Sequence, residues 1–326
     1  MLPTLALITL DFDPLLRVAG LTIRWQTIGV TVALLIALAV AALMAPDVRA
    51  QRPFFRRRGR GGRSQPDLRT LYPDAPKVEA AAPDSSGRSL RIDDMLLIIA
   101  GIVPGAVVGG RFLHGVVYWD AYATAPQKLF DPLTGSLSLL GAVIGGLLSA
   151  AYVARLISAP VRRWADAAAI PVLLAAGLGK LAQLLGGSGQ GLPFDGPWAV
   201  AFGGSGPWVS ISADMPSHPA QIYEGLWLLL GVPIVLLLAG ARHKPLRVNP
   251  LVAWADRAST EGRVFGLALG WFLLGRVLVG FTWRDERVIS LLNAEQLLAL
   301  AALAFLITLT IPRVASRAPS RRARPI

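Results

Sequence analysis

Three cations stand inside stretches that are otherwise apolar: Arg111 in VVGGRFLHGVVY, Lys180 in LLAAGLGKLAQLL and Arg276 in WFLLGRVLVGF. A cation within a membrane-spanning helix is costly to insert, and its presence points to function. The chemistry on offer is anion binding. An arginine fork gives a phosphate two parallel hydrogen bonds, and a lysine adds a point charge. Polar groups accompany them. Arg111, His114 and Tyr118 follow one another at spacings of three and four, hence on one helix face. Gln183 lies one turn from Lys180, Gln221, Tyr223 and Glu224 open a further apolar stretch, and Asn293 and Gln296 open the last. Together they predict a polar, net-positive pocket suited to an anionic phospholipid headgroup. The competing arrangement is that the cations snorkel, or pair with Glu224, and only hold the helices together.

The elements that must position these groups are membrane helices. Of 326 residues, 54% are hydrophobic and 16% charged, against roughly a quarter charged in soluble domains. Seven stretches are long enough to cross roughly 30 Å of hydrocarbon: Thr27 to Ala45, Met95 to Tyr118, Leu137 to Ile157, Ala167 to Gly186, Ala220 to Ala241, Arg263 to Phe281 and Asn293 to Ile311. The fold class is therefore an all-α integral membrane protein, a single seven-helix domain over residues 1–326.

Basic residues fix its sense, because cytoplasmic loops are enriched in them. Residues 46–92, 155–165, 241–263 and the tail after Ile311 carry 24 Lys and Arg, and the alternate segments carry five. The expectation is an N-terminus outside and a cytoplasmic C-terminus. Without a cationic start before Arg17, the chain is expected to insert by its own first helix rather than by a cleaved signal. Arg111, Lys180 and Arg276 lie 16, 13 and 13 residues beyond Met95, Ala167 and Arg263. At 1.5 Å per residue all three reach about 20 to 24 Å across, into the outer leaflet.

The net charge of +12 is thus an orientation signal, and no nucleic-acid partner is expected. Residues 46–92, with RPFFRRRGRGGR and a Pro, Asp and Ser mixture, read as a basic, mostly disordered cytoplasmic insertion. The loop 187–219, rich in Gly, Pro and Trp, reads as an external cap or lid. Glycine rows at 101, 105 and 109, at 141 and 145, and at 266 and 270 read as helix-packing faces. With no cysteine and three scattered histidines, neither a metal site nor a cofactor is expected, and the protein supplies no thiol of its own. A transporter would need internal repeats and an acidic relay that the sequence lacks.

On these residues the chain resembles the bacterial prolipoprotein diacylglyceryl transferases. VGGRFLHGVVY (108–118), GSLSLLGAVIGG (135–146), GKLAQLLGGSGQG (179–191), SHPAQIYEG (217–225) and FLLGRVLVGF (272–281) carry the likeness, HPAQIYE most specifically. The resemblance implies seven transmembrane helices in the bacterial inner (plasma) membrane. It implies transfer of the diacylglyceryl group of phosphatidylglycerol to the lipobox cysteine of a prolipoprotein signal peptide, with release of glycerol phosphate. The nucleophile then comes from the substrate.

Carried over, Arg276 matches the family's essential arginine, Arg111 the GGR arginine, and Asp166, His218, Gln221, Tyr223 and Glu224 match family positions. Arg276, His114 and Glu224 are the expected catalytic residues. Arg111, Lys180, Arg276, Gln183, Gln221, Tyr223 and His218 are expected to bind phospholipid. The chain also departs from the pattern. The histidine proposed as base in GGMSFHGG is Leu140. In GRxGNFxNGE the arginine is Lys180, the asparagines are Gln183 and Gly186, and the glutamate is Ser188. A tyrosine is Phe272 and a glutamate Gly280. Either His114 or His218 takes over as base, or the chain is a non-catalytic descendant that binds phospholipid or a lipoprotein signal helix.

Overall fold

The computed structural model describes residues 8–44, 92–129, 137–204, 206–210, 212–240 and 262–315. The basic insertion expected over 46–92, most of the loop 241–263 and the end of the tail lie outside them. Among the described residues seven long helices form: α1 Trp25–Met44, α2 Ile92–Val117, α3 Leu139–Leu156, α4 Val161–Ala182, α5 Ala220–Gly240, α6 Arg263–Val279 and α7 Ala294–Ala315. The first six are long and apolar enough to cross a membrane, and in α7 the apolar part is shorter, Ala294–Leu309. The protein is thus a mostly helical, multi-pass membrane protein. α4 starts six residues before the expected Ala167, because the helix begins at Val161, directly after Pro160, and takes in Arg162 and Arg163.

The core is assembled from α3 to α7, with Leu140, Ile170, Leu173, Leu228, Phe272 and Ala299 buried together. α2 and α3 pack through glycines. A Cβ on Gly109 would meet the Gly141 carbonyl, and one on Gly145 would run into that of Gly105. Ser149 Oγ donates to the Gly101 carbonyl at the same seam. The backbones therefore touch directly, which is what small residues at four-residue spacing permit. The row at 266 and 270 behaves differently, against expectation: nothing described lies within 4 Å of a Cβ on Gly266, and Gly270 makes only an ordinary contact. Overpacking a tight seam costs about 1–3 kcal/mol. Gly145→Val is therefore expected to lower the melting midpoint in detergent by several degrees and Gly266→Val to leave it unchanged. Equal effects would mean that α2 and α3 are not held by close backbone approach.

One end of the bundle carries a cap that the helical pattern did not foreshadow. Strand β1 (Ile8–Asp11) pairs in parallel with β4 (Val200–Gly203), and β2 (Leu15–Val18) forms a hairpin with β3 (Leu21–Arg24). Phe202, 1% exposed, packs on Trp208, which meets Phe12 edge-on at 5.1 Å. The chain before α1 thus pairs with β4, which lies in the described part of segment 187–219. A third, short pair, β5 (Arg287–Ile289) with β6 (Leu292–Asn293), lies between α6 and α7. Arg284 ties this segment to the cap, donating from Nε to the Gly191 carbonyl (2.6 Å) and from Nη2 to Ser217 Oγ (2.8 Å).

Candidate functional site

Beneath the cap, α4, α5 and α6 bring Lys180, Glu224 and Arg276 together. Glu224 is 1% exposed. Its Oε2 lies 2.8 Å from Lys180 Nζ and its Oε1 accepts from Arg276 Nη1 at 2.9 Å. Arg276 also pairs through Nη2 with Glu295 of α7, whose Oε1 accepts from Ser138 Oγ at 2.7 Å. The indole of Trp283 covers both cations, with Lys180 Nζ 4.5 Å and Arg276 Cζ 5.5 Å from its centroid. Two cations are therefore balanced by two carboxylates. The expected net-positive pocket is, in this cluster, a neutral one, since Glu295, between Asn293 and Gln296 in NAEQLLAL, supplies the second negative charge. One donor is left over: Arg276 Nε is buried without a hydrogen-bond partner among the described residues.

The register that makes this meeting possible is set by two tryptophans. Trp227 of α5 and Trp271 of α6 stack at 4.3 Å and 10°. Each donates its indole N–H to the other's backbone carbonyl, at 2.9 and 2.7 Å. Each indole also occupies the space over a glycine of the opposite helix, Trp271 over Gly231 and Trp227 over Gly275. The signal was present in the sequence as two W-x-x-x-G repeats, WLLLG and WFLLG, at 227 and 271. Glu224 stands one turn from the first and Arg276 just over one turn from the second.

Gln183 and Gln221 lie one turn nearer the cap than Lys180 and Glu224 respectively. Gln221 is completely buried, yet neither its Oε1 nor its Nε2 has a hydrogen-bond partner among the described residues, and the same is true of Gln183 Oε1. Such groups are rare because each costs about 1–3 kcal/mol. Asn293 and Gln296, expected in the pocket, are instead spent on structure. Each side-chain oxygen accepts from the other's backbone N–H, at 2.8 and 2.9 Å, capping α7. Asp166 likewise caps α6, accepting from the backbone of Gly262 and Phe265 at 2.9 Å each.

Arg111 and His114 occupy the capped end of α2, with the His114 ring tilted on Tyr118 at 4.6 Å and edge-on to Tyr122. Tyr118 donates to Asp285 Oδ1 at 2.9 Å. Burial and then the Asp285 carboxylate hold the Tyr118 phenol well above its ordinary range. Asp285 also acts electrostatically on His114 and Lys180, and so connects this group to the main cluster.

His218 sits in the cap, and Tyr223, in the first turn of α5, meets it. Tyr223 Oη accepts from Trp198 Nε1 at 2.6 Å and lies 3.3 Å from His218 Nδ1, while His218 stacks on Phe194 at 4.0 Å. Successive helical residues point about 100° apart, so Tyr223 turns away from the cluster that Glu224 enters. Burial pushes His218 below the ordinary imidazole range, which keeps it neutral at pH 7.

The positions that depart from the family pattern are filled by their neighbours. Leu140 and Phe272 belong to one buried apolar cluster, so no proton acceptor stands at 140. The space over Gly280 is taken by the Gln296 side chain, and that over Gly186 by Gln26, whose Oε1 accepts from Ser188 Oγ at 3.0 Å. On the side of the cations away from the cap runs an apolar crevice between α3, α4, α5 and α6, lined by Val143, Leu173, Leu228, Ala268 and Phe272.

Comparison with known proteins identifies relatives of this chain. The sequence model described as prolipoprotein diacylglyceryl transferase matches residues 78–311. A phosphatidylglycerol–prolipoprotein diacylglyceryl transferase of Geobacter sulfurreducens is 31% identical over 238 residues, covering 71% of this chain and 82% of that protein. One from Methylocella silvestris is 29% identical over 303 residues, covering 85% and 96%. A third, from Nostoc sp., is 25% identical over 210 residues, covering 62% and 68%.

Proposed function

The chain belongs to the prolipoprotein diacylglyceryl transferase family, and from that premise we propose how its residues move the diacylglyceryl group of phosphatidylglycerol onto a prolipoprotein. The observation that carries the reading is the convergence of Lys180 and Arg276 on Glu224 at one depth, with Arg276 Nε still unmet. The phosphate accepts from Arg276 and Lys180, displacing part of their pairing with Glu224, and Arg111 adds charge from α2. The thiolate of the lipobox cysteine in the signal peptide attacks the glycerol carbon that bears the phosphate. A C–S bond forms, the C–O bond breaks, and glycerol phosphate leaves with the electron pair. Charge grows on the leaving oxygen, where fixed cations in a water-poor site act most strongly. Glu224 keeps the two cations side by side. His114 takes the thiol proton, and His218 with Tyr223 lines the entry through the cap. The acyl chains lie on the apolar side of the cations, away from the cap.

The membrane arrangement follows the same reading. α7 completes seven spans, the capped end faces outward with the N-terminus, the C-terminus is cytoplasmic, and the enzyme resides in the bacterial inner membrane. Residues 1–326 then form one domain, with 46–92 a cytoplasmic insertion and 187–219 an external cap.

Expression in cells depleted of their own diacylglyceryl transferase tests the activity. A model lipoprotein is expected to undergo its lipid-dependent mobility shift. Absence of the shift with the protein correctly inserted would instead favour a lipid-binding descendant. General-base catalysis contributes about 10²–10⁴-fold. His114→Gln is thus expected to slow transfer by at least about 100-fold at neutral pH, with recovery as rising pH ionises the thiol directly. A flat pH response in the variant would remove His114 from that role.

A further inference from the structure

The three orphaned amide atoms make a pattern that the phosphate chemistry leaves unused. Gln221, fully buried, offers one acceptor (Oε1) and one donor (Nε2), and Gln183 offers a second acceptor (Oε1). Both side chains border one glycine. A Cβ on Gly189, held at φ +80°, would come 2.8 Å from Gln183 Oε1 and 3.2 Å from Gln221 Cβ, so a larger residue there would crowd both. Both are one turn from the cation pair, toward the cap, while the apolar crevice lies in the opposite direction along the same helices. Along the axis of the site, apolar crevice, cations and neutral amides follow one another. A phospholipid has the same order: acyl chains, phosphate, headgroup.

We propose that Gln221 and Gln183 bind the two free hydroxyls of the glycerol headgroup and so select phosphatidylglycerol among phospholipids, an inference that rests on the transferase reading above. Two hydroxyls donate to the two amide oxygens, and one of them accepts from Gln221 Nε2, which satisfies all three buried atoms. An ethanolamine ammonium has donors only and leaves Nε2 unmet. Choline has no donor and leaves both oxygens unmet. A site built to hydrogen-bond a hydroxyl rejects the analogue lacking it far more strongly than an apolar site rejects a change of size.

The test compares phosphatidylglycerol with phosphatidylpropanol, which keeps the chains, the phosphate and the charge but lacks both hydroxyls. The full-length protein in vesicles of either lipid is given a prolipoprotein peptide. Wild type is expected to favour phosphatidylglycerol by at least about 30-fold in kcat/KM. Gln221→Leu and Gln183→Leu are each expected to lower the rate with phosphatidylglycerol and bring the ratio toward one. Gln221→Leu should melt no lower than wild type, since it removes an unmet polar group. A ratio that both variants retain, or no preference in wild type, overturns the proposal while leaving transfer itself intact. If wild type transfers neither lipid, the transferase reading fails, and competition between the two lipids for binding, followed by native mass spectrometry, decides this one. A binding preference lost in Gln221→Leu upholds it, and equal binding overturns it.

Discussion

Arg276→Ala is expected to lower diacylglyceryl transfer by at least about 100- to 1,000-fold, the loss that follows removal of one preorganised donor to a developing oxyanion. Arg276 is the hub of the site: Nη1 meets Glu224, Nη2 meets Glu295, and Nε is the buried donor without a partner. Its removal takes away the fork that receives the phosphate and leaves Glu295 to Ser138 alone. A stability cost of about 3–5 kcal/mol accompanies the loss of one partner from a buried ion pair. Arg276→Lys separates the two effects. It keeps a charge between the carboxylates but lacks the bidentate geometry, so it should recover most of the melting midpoint and little of the rate. Wild-type transfer by Arg276→Ala, judged by the lipoprotein mobility shift, would mean that the phosphate binds elsewhere.

An equally large effect on stability is expected of Glu224→Ala. This carboxylate is the shared partner of Lys180 and Arg276, and all three are nearly fully buried. Without it two cations face each other under Trp283, with Glu295 pairing Arg276 alone, and the bundle is expected to lose about 3–5 kcal/mol. Two further measurements identify the cause. Lys180→Met in the same chain removes the uncompensated charge and should restore much of the loss, because the effects of contacting residues are not additive. Phosphatidylglycerol should raise the melting midpoint of Glu224→Ala more than that of wild type, since an anion can take the place of the missing carboxylate. If neither restores stability, Glu224 acts through packing and not through charge.

Much of this was legible in the sequence because the membrane imposes simple rules. The seven apolar stretches became seven helices, and six of them meet the length and hydropathy of a span. Lys180, Arg276 and Glu224 stood out because an ionisable group in an apolar stretch is costly unless it is paired or faces a polar interior, and they do converge. The glycines at 105, 109, 141 and 145 were recognised by their spacing and pack as such. What periodicity did not reveal depends on contacts between segments distant in the chain. Nothing local ties Ile8–Asp11 to Val200–Gly203, or Arg284 to Ser217. Asn293 and Gln296 were expected to line the pocket, yet their three-residue spacing at a helix start is that of a reciprocal cap. The Gly266 and Gly270 row has the right spacing for a seam, yet among the described residues it makes no close backbone approach. Spacing states that a face is smooth, not that a partner covers it.

Transfer itself is measured with the purified protein in phosphatidylglycerol vesicles and a synthetic prolipoprotein peptide bearing its lipobox cysteine. Mass spectrometry follows the peptide, and the glycerol phosphate released is quantified alongside. The expected result is a peptide gaining one diacylglyceryl group at the cysteine, with an equal amount of glycerol phosphate, and neither product from Arg276→Ala. An unmodified peptide in the presence of intact, lipid-bound protein would contradict it.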